Sequence, residues 1–399
     1  MECSTFVEKM QTPEGLEAAE VGSIYCVLLR VRDGRKARGQ RYTAAVVLTL
    51  MLLAKLAGQK TVSGIAEWVR LRAEWVQEQL PFKDGRLPCA NTYQYVCDQV
   101  EVAELNQYLG EYFGTAARAK SAQASTTASL VHLAVDGKSL RGTRRITTAK
   151  AATQVVGLYN VSGEYMMRQR ALASKGKERT AALALIAGLD LDGCVVSADA
   201  LHTQATWCRT ILRQNGDYLV VAKRNQPELC EAIAVLFSQP PRPFLFPEAA
   251  AHSVDKQHGR IEIRRLRSSA ELGTYLAPHW PGVAQVFQIE RTVTRLGQTT
   301  HEIAYGMTSL SPAHLPAEAL LALVRAHWRI ENRSHWRRDV TLGEDACRVT
   351  LGKTPQVLAT LNNTVLALVD RLRLPNLAAA MRRFDARPAE ALALLLSPL

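Results

Sequence analysis

The sequence lacks any cysteine pattern typical of a zinc site or of a small fold stabilised by disulfides. Its eight cysteines form no CxxC pair, and this spacing favours reduced thiols in a cytoplasmic protein. Long apolar runs are also missing, because the most apolar stretch, 44–58, contains Lys55 and is too short to cross a bilayer. The first twenty residues have no apolar segment of the secretory type. We therefore expect a cytoplasmic protein without a membrane partner, and a buried helix at 44–58.

Acidic residues are in deficit. Lys and Arg number 49 against 37 for Asp and Glu, which gives a net charge of +12 and a pI near 9.4. Such a balance favours a polyanionic partner such as nucleic acid. The apolar share of 47% is typical of a globular protein, and 399 residues predict two or three packed units.

Helical periodicity dominates residues 1–120, which we interpret as an all-helical N-terminal domain for DNA binding or assembly. A basic loop at 30–42 interrupts the helices, with glycines at 34 and 39 that allow turns. The loop is either a solvated connector or a phosphate-contacting surface. Its candidates for DNA contact are Arg35, Lys36, Arg38 and Arg41. The small polar residues of 121–129 indicate a linker.

Short apolar strands and amphipathic helices alternate after the linker. This order predicts an α/β fold with a partly parallel sheet over 130–350. Strand-like sequence without helices occupies about 240–305, which we interpret as a β-rich insertion. The remaining residues, 351–399, predict an apolar helical C-terminal tail.

Two of the predicted buried strands end on aspartates, Asp136 in "VDG" and Asp199 in "ADA". Carboxylates at strand ends lie where α/β sheets bind ligands, although an aspartate there can also form a turn or cap a helix. A lone glutamate, Glu331, follows on a basic helix. Three converging carboxylates repel one another, and hard divalent cations relieve that repulsion. Two Mg²⁺ ions held in this way would clamp a phosphodiester.

The helix around Glu331 allows a second interpretation. His327, Glu331 and His335 follow one another at four-residue spacing, so they could bind zinc on one face. The same helix carries a ridge of arginines, also at four-residue spacing: Arg325, Arg329, Arg333 and Arg337. The helical projection places this arginine ridge away from Glu331. We expect its guanidinium groups to be free for phosphates or for an acidic protein surface.

Five blocks, in order, resemble the hallmark motifs of insertion-sequence transposases: "VDGKSLRGT", "SADALHTQ", "DYLVVAKRNQPEL", "HGRIEIRR" and "HWRIENRSHWRRDVTLGEDACR". The branch that they resemble most contains the H-repeat-associated proteins. The first hundred residues resemble the helical associated domain of that family through "RGQRYTAAVVLTLMLLAKLAGQKTVSGIAEWV" and "LPCANTYQYV". The resemblance covers nearly the whole chain.

The resemblance implies an RNase H-like catalytic domain with a DDE triad and two Mg²⁺ ions, for which Mn²⁺ can substitute. By position the triad is Asp136, Asp199 and Glu331, and its second gap of 331 − 199 = 132 residues fits a β-rich insertion. Four residues match family positions near the site or, alternatively, serve surface solubility: Lys138, Arg141, Lys223 and Asn225. Ser334 replaces a residue that is usually bulky and apolar, a change that affects fine specificity rather than the reaction class.

The function that follows is a DNA transposase that hydrolyses phosphodiester bonds at element ends and joins the freed 3′-hydroxyl to target DNA. Its partner would be double-stranded DNA, held by a homodimer or higher oligomer that is associated with the nucleoid. The DNA contacts would include Arg329, Arg333 and Arg337. Two other functions fit the same sequence: a domesticated DNA-binding protein that no longer cuts, and a stand-alone metal-dependent nuclease.

Overall fold

A computed structural model describes residues 22–398 with several gaps. The gaps are 37, 39, 81, 83–84, 124–129, 145–150, 173, 175, 241–245, 258 and 375. For 117–123 and 257 it describes the backbone alone. Within these described residues, no helix combines the length and the hydropathy that a bilayer crossing requires.

Helices precede the first strand. They are α1 (Ile24–Leu29), α2 (Ala44–Leu56), α3 (Val62–Arg70), α4 (Ala73–Gln79), α5 (Ala90–Gln99) and α6 (Val102–Gln123). The hydroxyls of Ser23, Thr43 and Thr61 accept a backbone N–H three residues on, and so cap α1, α2 and α3. Every residue of α2 is buried, as the apolar run at 44–58 predicts. Helix α6 takes in the first residues of the expected linker, whose remainder, 124–129, lies outside the described residues.

One nine-stranded sheet follows. Its strands are β1 (Val131–Leu140), β2 (Thr153–Asn160), β3 (Tyr165–Ala171), β4 (Cys194–Ala198), β5 (Asp217–Ala222), β6 (Ala249–Gln257), β7 (Arg260–Ser269), β8 (Gln285–Arg295) and β9 (Gln298–Thr308). They lie in the order β3-β2-β1-β4-β5-β9-β8-β7-β6. Strand β4 is parallel to β1 and to β5, and all other neighbours are antiparallel. The fold is therefore mixed α/β, as the sequence predicts. The strands of the expected insertion extend the main sheet, because β9 pairs with β5.

Helices cover both faces of the sheet. One face packs against α7 (Glu178–Ile186), α8 (Ala205–Leu212) and α9 (Pro227–Ser238), and the short α10 (Gly273–Leu276) adds Leu276 to the same core. The other face packs against α11 (Ala317–His327) through Leu320, Leu321 and Val324. After α11 come a π-helical turn at Ile330–His335 and α12 (Trp336–Val340).

The last helices complete the core of the first ones. These are α13 (Thr354–Arg371), α14 (Leu377–Ala386) and α15 (Pro388–Leu396). Leu361, Val365 and Leu395 belong to the same hydrophobic cluster as Leu48 and Leu52 of α2. The segment that the sequence predicts as a helical tail is thus an integral part of the N-terminal helical core.

A buried polar network joins this helical core to the sheet side of the molecule. Arg338 is 0% exposed, and its Nε donates to Glu344 Oε2 over 2.9 Å. Asn362 Nδ2 donates to the same oxygen over 2.8 Å, and Lys55 Nζ donates to Asn362 Oδ1 over 2.8 Å. Burial lowers the pKa of Lys55 to about 8.

The depressed pKa of Lys55 predicts a pH-dependent stability. Between about 8, its pKa in the folded state, and 10.5, its ordinary value, the unfolded chain binds more protons than the folded one. Stability from this group therefore rises with pH across that window. Relative to a Lys55→Met variant, the wild type should gain up to about 3 kcal/mol between pH 8 and pH 10.5. Urea unfolding of both proteins across this window measures the difference, and a constant difference would contradict the prediction.

Candidate active site

The register of two parallel strands brings Asp136 and Asp199 side by side. Val135 of β1 pairs with Ala198 of β4, and the residue after each of them is the aspartate. Asp136 Oδ1 accepts the N–H of Gly137 over 2.8 Å. Asp199 Oδ1 accepts the N–H of Leu201 over 3.0 Å, and so caps the short turn at Ala200–His202. Both carboxylates keep free lone pairs at the end of the parallel ladder.

Glu331 lies in the π-helical turn rather than in a continuous α-helix. The sequence predicts one helix through this stretch, but the structure widens it at Ile330–His335. The widened turn buries Ile330, Ser334 and His335 and leaves Glu331 exposed. Ile330 packs against Ala134 of β1, which anchors the turn beside the strand that carries Asp136. Such turns concentrate at functional sites.

Asp136, Glu331 and His335 converge. One ligand atom of each lies within 4.8 Å of the others, the only such group of three among the described residues. His335 Nδ1 is 3.4 Å from Asp136 Oδ2. The zinc alternative named His327 in place of Asp136, but His327 Nδ1 is hydrogen-bonded to Ser197 Oγ over 2.9 Å. The structure thus pairs Glu331 with Asp136 and not with His327. The prediction that the strand ends at Asp136 was wrong, because β1 continues to Leu140 through its pairing with β2.

The electrostatics of the site suit a divalent cation. Burial raises the pKa of Asp199 above its ordinary value, and the charges of Asp136 and Glu178 raise it further. The strand register places Asp199 beside Asp136, although Asp199 stands outside the group of three. Carboxylate oxygens suit Mg²⁺ and Mn²⁺, and an imidazole suits transition metals. The donor set therefore fits a divalent cation without selecting Mg²⁺.

Two neighbours of the aspartates were not predicted from the sequence. Glu178 begins α7, and its carboxylate lies against the backbone of Gly137, next to Asp136. His202 is 1% exposed, with Nε2 3.7 Å from Glu178 Oε1. The available signals were the glutamate at the start of the helix after β3 and the histidine three residues after Asp199.

Of the four residues expected near the site, Lys138 and Asn225 are hydrogen-bonded within the protein, whereas Arg141 and Lys223 are exposed. Lys138 Nζ donates to both oxygens of Asp339 over 2.6 and 2.7 Å. Asn225 Nδ2 donates to Ala200 O over 2.6 Å, so it holds the turn that follows Asp199. Arg141 has a side chain that is 81% exposed, and Lys223 is exposed.

The arginine ridge is paired, contrary to the expectation that it is free. Arg329 Nη2 donates to Glu164 over 2.6 Å, and Arg333 Nε lies 3.9 Å from the same carboxylate. Arg337 Nη1 donates to both oxygens of Asp370 over 2.7 and 2.8 Å. Arg325 binds Asp255 of β6. The partners are distant in sequence, so the helical projection did not reveal them. The ridge fastens the Glu331 segment to the β2–β3 turn, to α13 and to β6.

Of the four candidates for DNA contact in the basic loop, Arg35 is the one that is bound within the protein. Arg35 binds Asp33 and donates to Tyr42 O over 2.7 Å, and its side chain is 6% exposed. It therefore shapes the loop. Lys36, Arg38 and Arg41 are exposed.

Two family models and several known proteins match the chain. The family model described as "Transposase DDE domain" matches residues 127–366, and the model described as "DDE_Tnp_1-associated" matches 26–113. The "H repeat-associated putative transposase YhhI" of Escherichia coli is 23% identical over 344 residues, 85% of this chain and 88% of that protein. An uncharacterized protein in the dhlA 3′ region of Xanthobacter autotrophicus is 28% identical over 282 residues, 70% of this chain and 92% of that protein.

A solved structure of a piggyBac transposase synaptic complex with hairpin DNA aligns with a TM-score of 0.43. The identity is 10%, and the alignment covers 98% of this chain and 80% of that one.

The paired ridge predicts unequal effects of two similar substitutions. Arg337→Gln should lower the free energy of unfolding by about 1–3 kcal/mol, because the partly buried Asp370 loses two charged hydrogen bonds. Arg333→Gln is the matched control, since its side chain is 50% exposed and its contact is long. It should change stability by less than about 0.5 kcal/mol. Urea midpoints measure both, and equal losses would show that the Asp370 pair does not fasten the segment.

Proposed function

The chain belongs to the DDE transposase family, in the branch of the H repeat-associated proteins, and from this premise we propose its reaction. It cleaves DNA at the ends of an insertion element and joins the 3′-hydroxyl to target DNA. The observation that carries the proposal is the convergence of Asp136, Glu331 and His335 beside Asp199. Three of these four residues are the carboxylates of the DDE pattern.

The catalytic unit is RNase H-like in this proposal. Its support is the strand order β3-β2-β1-β4-β5, in which three antiparallel strands are followed by two parallel ones. We assign 1–120 to a helical N-terminal domain, 121–129 to a linker, 130–350 to the catalytic domain with its insertion at about 240–305, and 351–399 to a C-terminal segment. The helices of that last segment would stabilise the N-terminal domain, since they share its core.

Asp136, Asp199 and Glu331 would hold two Mg²⁺ ions, for which Mn²⁺ can substitute. When bound, such ions neutralise charge on the phosphodiester and activate the attacking water or hydroxyl. Asp136 would hold metal together with Asp199, its neighbour in the strand register, and with Glu331, which converges on it. His335, within 3.4 Å of Asp136, would orient that carboxylate or add a ligand. The exposure of Glu331 leaves its side open to DNA.

DNA would reach the site across exposed cations. Lys36, Arg38, Arg41, Arg141 and Lys223 are exposed, and the net charge of +12 favours a polyanion. Arg35, Lys138, Asn225 and the arginine ridge would act mainly by holding the loop and the site in shape, given their partners in the chain. We place the protein in the cytoplasm, on the nucleoid when bound to DNA, as a homodimer or higher oligomer.

The carboxylates of the site predict a separation of binding from chemistry. Asp136→Asn, Asp199→Asn and Glu331→Gln each remove one charge from a repelling cluster, so each variant should melt at an equal or higher temperature without metal. Each should still bind DNA made from the sequences that flank its gene. Each should lose nicking that depends on Mg²⁺ or Mn²⁺, and a double variant should lose little more than a single one.

The control is Asp192→Asn, which removes an exposed carboxylate outside the site and should nick normally. Joining of pre-cleaved ends to target DNA separates a transposase from a stand-alone nuclease, which would nick but not join. A wild-type protein that binds DNA but does not nick it would support the domesticated DNA-binding function instead. Near-normal nicking by Glu331→Gln would remove Glu331 from the site.

The exposed part of the basic loop predicts a change in salt dependence. Changing Lys36, Arg38 and Arg41 together to Ala should weaken DNA binding and reduce the slope of log K against log salt by about 2–3, roughly 0.9 for each phosphate contact. Fluorescence anisotropy at several salt concentrations measures the slope.

An equal loss of charge elsewhere provides the control for the loop. Arg209, Arg213 and Arg382 are exposed on α8, just after α8 and on α14, and changing them to Ala should leave the slope almost unaltered. If both triple variants behaved alike, the loop would be a solvated connector.

A further inference from the structure

A buried hydroxyl joins the three elements that carry the carboxylates. Ser197 Oγ lies 2.7 Å from His132 Nε2 and 2.9 Å from His327 Nδ1. Its third polar neighbour is Leu133 O, at 3.4 Å. The exposed fractions of His132, Ser197 and His327 are 3%, 1% and 6%. The three side chains therefore form a closed polar network inside an otherwise apolar layer.

Each member of this network stands shortly before one carboxylate on the same element. His132 is four residues before Asp136 on β1, and Ser197 is two residues before Asp199, which directly follows β4. His327 ends α11, four residues before Glu331. We propose that His132, Ser197 and His327 are positioning residues that set the distance of Glu331 from the two aspartates. This role rests on the proposed function, because it concerns the carboxylates of that site.

Of the three elements, α11 is the one that needs a contact to fix its distance from the strands. Backbone hydrogen bonds of the parallel ladder already fix β1 against β4. Helix α11 has no such ladder to the sheet. Its contacts through Leu320, Leu321 and Val324 are apolar, and the salt bridge of Arg325 reaches Asp255 of β6 at the far edge of the sheet, away from β1 and β4. Apolar contacts are non-directional, whereas a hydrogen bond fixes distance and angle. The bond between Ser197 and His327 therefore fixes the end of α11, from which the Glu331 turn starts.

The geometry also assigns the protons. Within the described part of the chain, His132 Nδ1 has no hydrogen-bond partner. Placing the proton of His132 on Nε2 avoids an orphaned N–H, and this N–H donates to Ser197 Oγ. The hydroxyl has one proton, which we assign to the shorter contact, with His327 Nδ1 at 2.9 Å rather than with Leu133 O at 3.4 Å. Both imidazoles are neutral in this arrangement, in agreement with burial, which lowers the pKa of His132 to about 3 and that of His327 to about 4.

A crossed pair of substitutions tests the network against simple space filling. Asn places a polar atom near the position of imidazole Nδ1, and Gln places one near Nε2. His327 acts through Nδ1, so His327→Asn should retain function and His327→Gln should lose it. His132 acts through Nε2, so the order should reverse, with His132→Gln retained and His132→Asn lost. A role in packing alone would favour Gln, which is closer to His in volume, at both positions.

Mn²⁺ affinity of the full-length protein without DNA, measured by calorimetry, is the first readout, and nicking rate is the second. Ser197→Ala, His327→Gln and His132→Asn should each weaken Mn²⁺ binding by about 10-fold, the lower end of the effect of losing a residue that orients a ligand, because they act through the position of α11 and not by contact with a carboxylate. Ser197→Thr keeps the hydroxyl and should recover most of the affinity. Val196→Ala is the matched control, because Val196 is buried on the same strand but belongs to the core on the opposite face. It should lower the melting temperature without changing Mn²⁺ affinity.

The outcomes separate this proposal from the proposed function. Suppose that the wild type binds Mn²⁺ and nicks DNA. If the Mn²⁺ affinity and the nicking rate of Ser197→Ala are then within about twofold of the wild-type values, the network has no positioning role. The same follows if Gln is the better substitute at both histidines. A wild type that neither binds Mn²⁺ nor nicks DNA would overturn the proposed function, and the positioning role with it.

Discussion

The parallel pairing of β1 with β4 is the constraint on which the site depends. Its register ends with Val135 opposite Ala198, so the aspartate that follows each of these residues lies at the same end of the parallel pair. A slip of one residue would turn one of the two side chains to the other face. Bringing carboxylates together is unfavourable by itself. The burial of the strands beneath Asp136 and Asp199 supplies the stability that holds these charges close.

The sequence predicted those parts of the molecule that local patterns encode. Apolar runs marked the buried α2 and the strands, and the aspartates that follow two of these runs marked the candidate site, because burial is read from consecutive residues. The predicted end of the first strand was wrong, since β1 continues past Asp136 to Leu140. The widened turn around Glu331 was not predicted, since no Gly or Pro signals it. The partners Glu164 and Asp370 were also missed, because each is more than thirty residues from its arginine. Long-range pairing leaves no periodicity to read.

The basic side chains of this protein have two roles. Exposed cations such as Arg141 and Lys223 contribute to the field that attracts a polyanion. Others are withdrawn from solvent to fix geometry: Arg338 is fully buried against Glu344, and Arg337 is bound to Asp370. Net charge therefore overstates the number of cations that an acidic partner can meet. The same residue type serves recognition or architecture according to the carboxylate that folding brings beside it.

The shared core of the first and last helices has a consequence for the order of events during synthesis. Helix α2 is covered by residues of α13, α14 and α15, which leave the ribosome only after the whole sheet has been made. At about 5–20 residues per second, synthesis from the end of α2 to the start of α13 takes on the order of 15–60 s. The apolar faces of the first helices must be kept from aggregating during that interval. A chain truncated before α13 cannot complete the hydrophobic core of these helices. Only a polypeptide that includes α13, α14 and α15 can therefore assemble the helical unit.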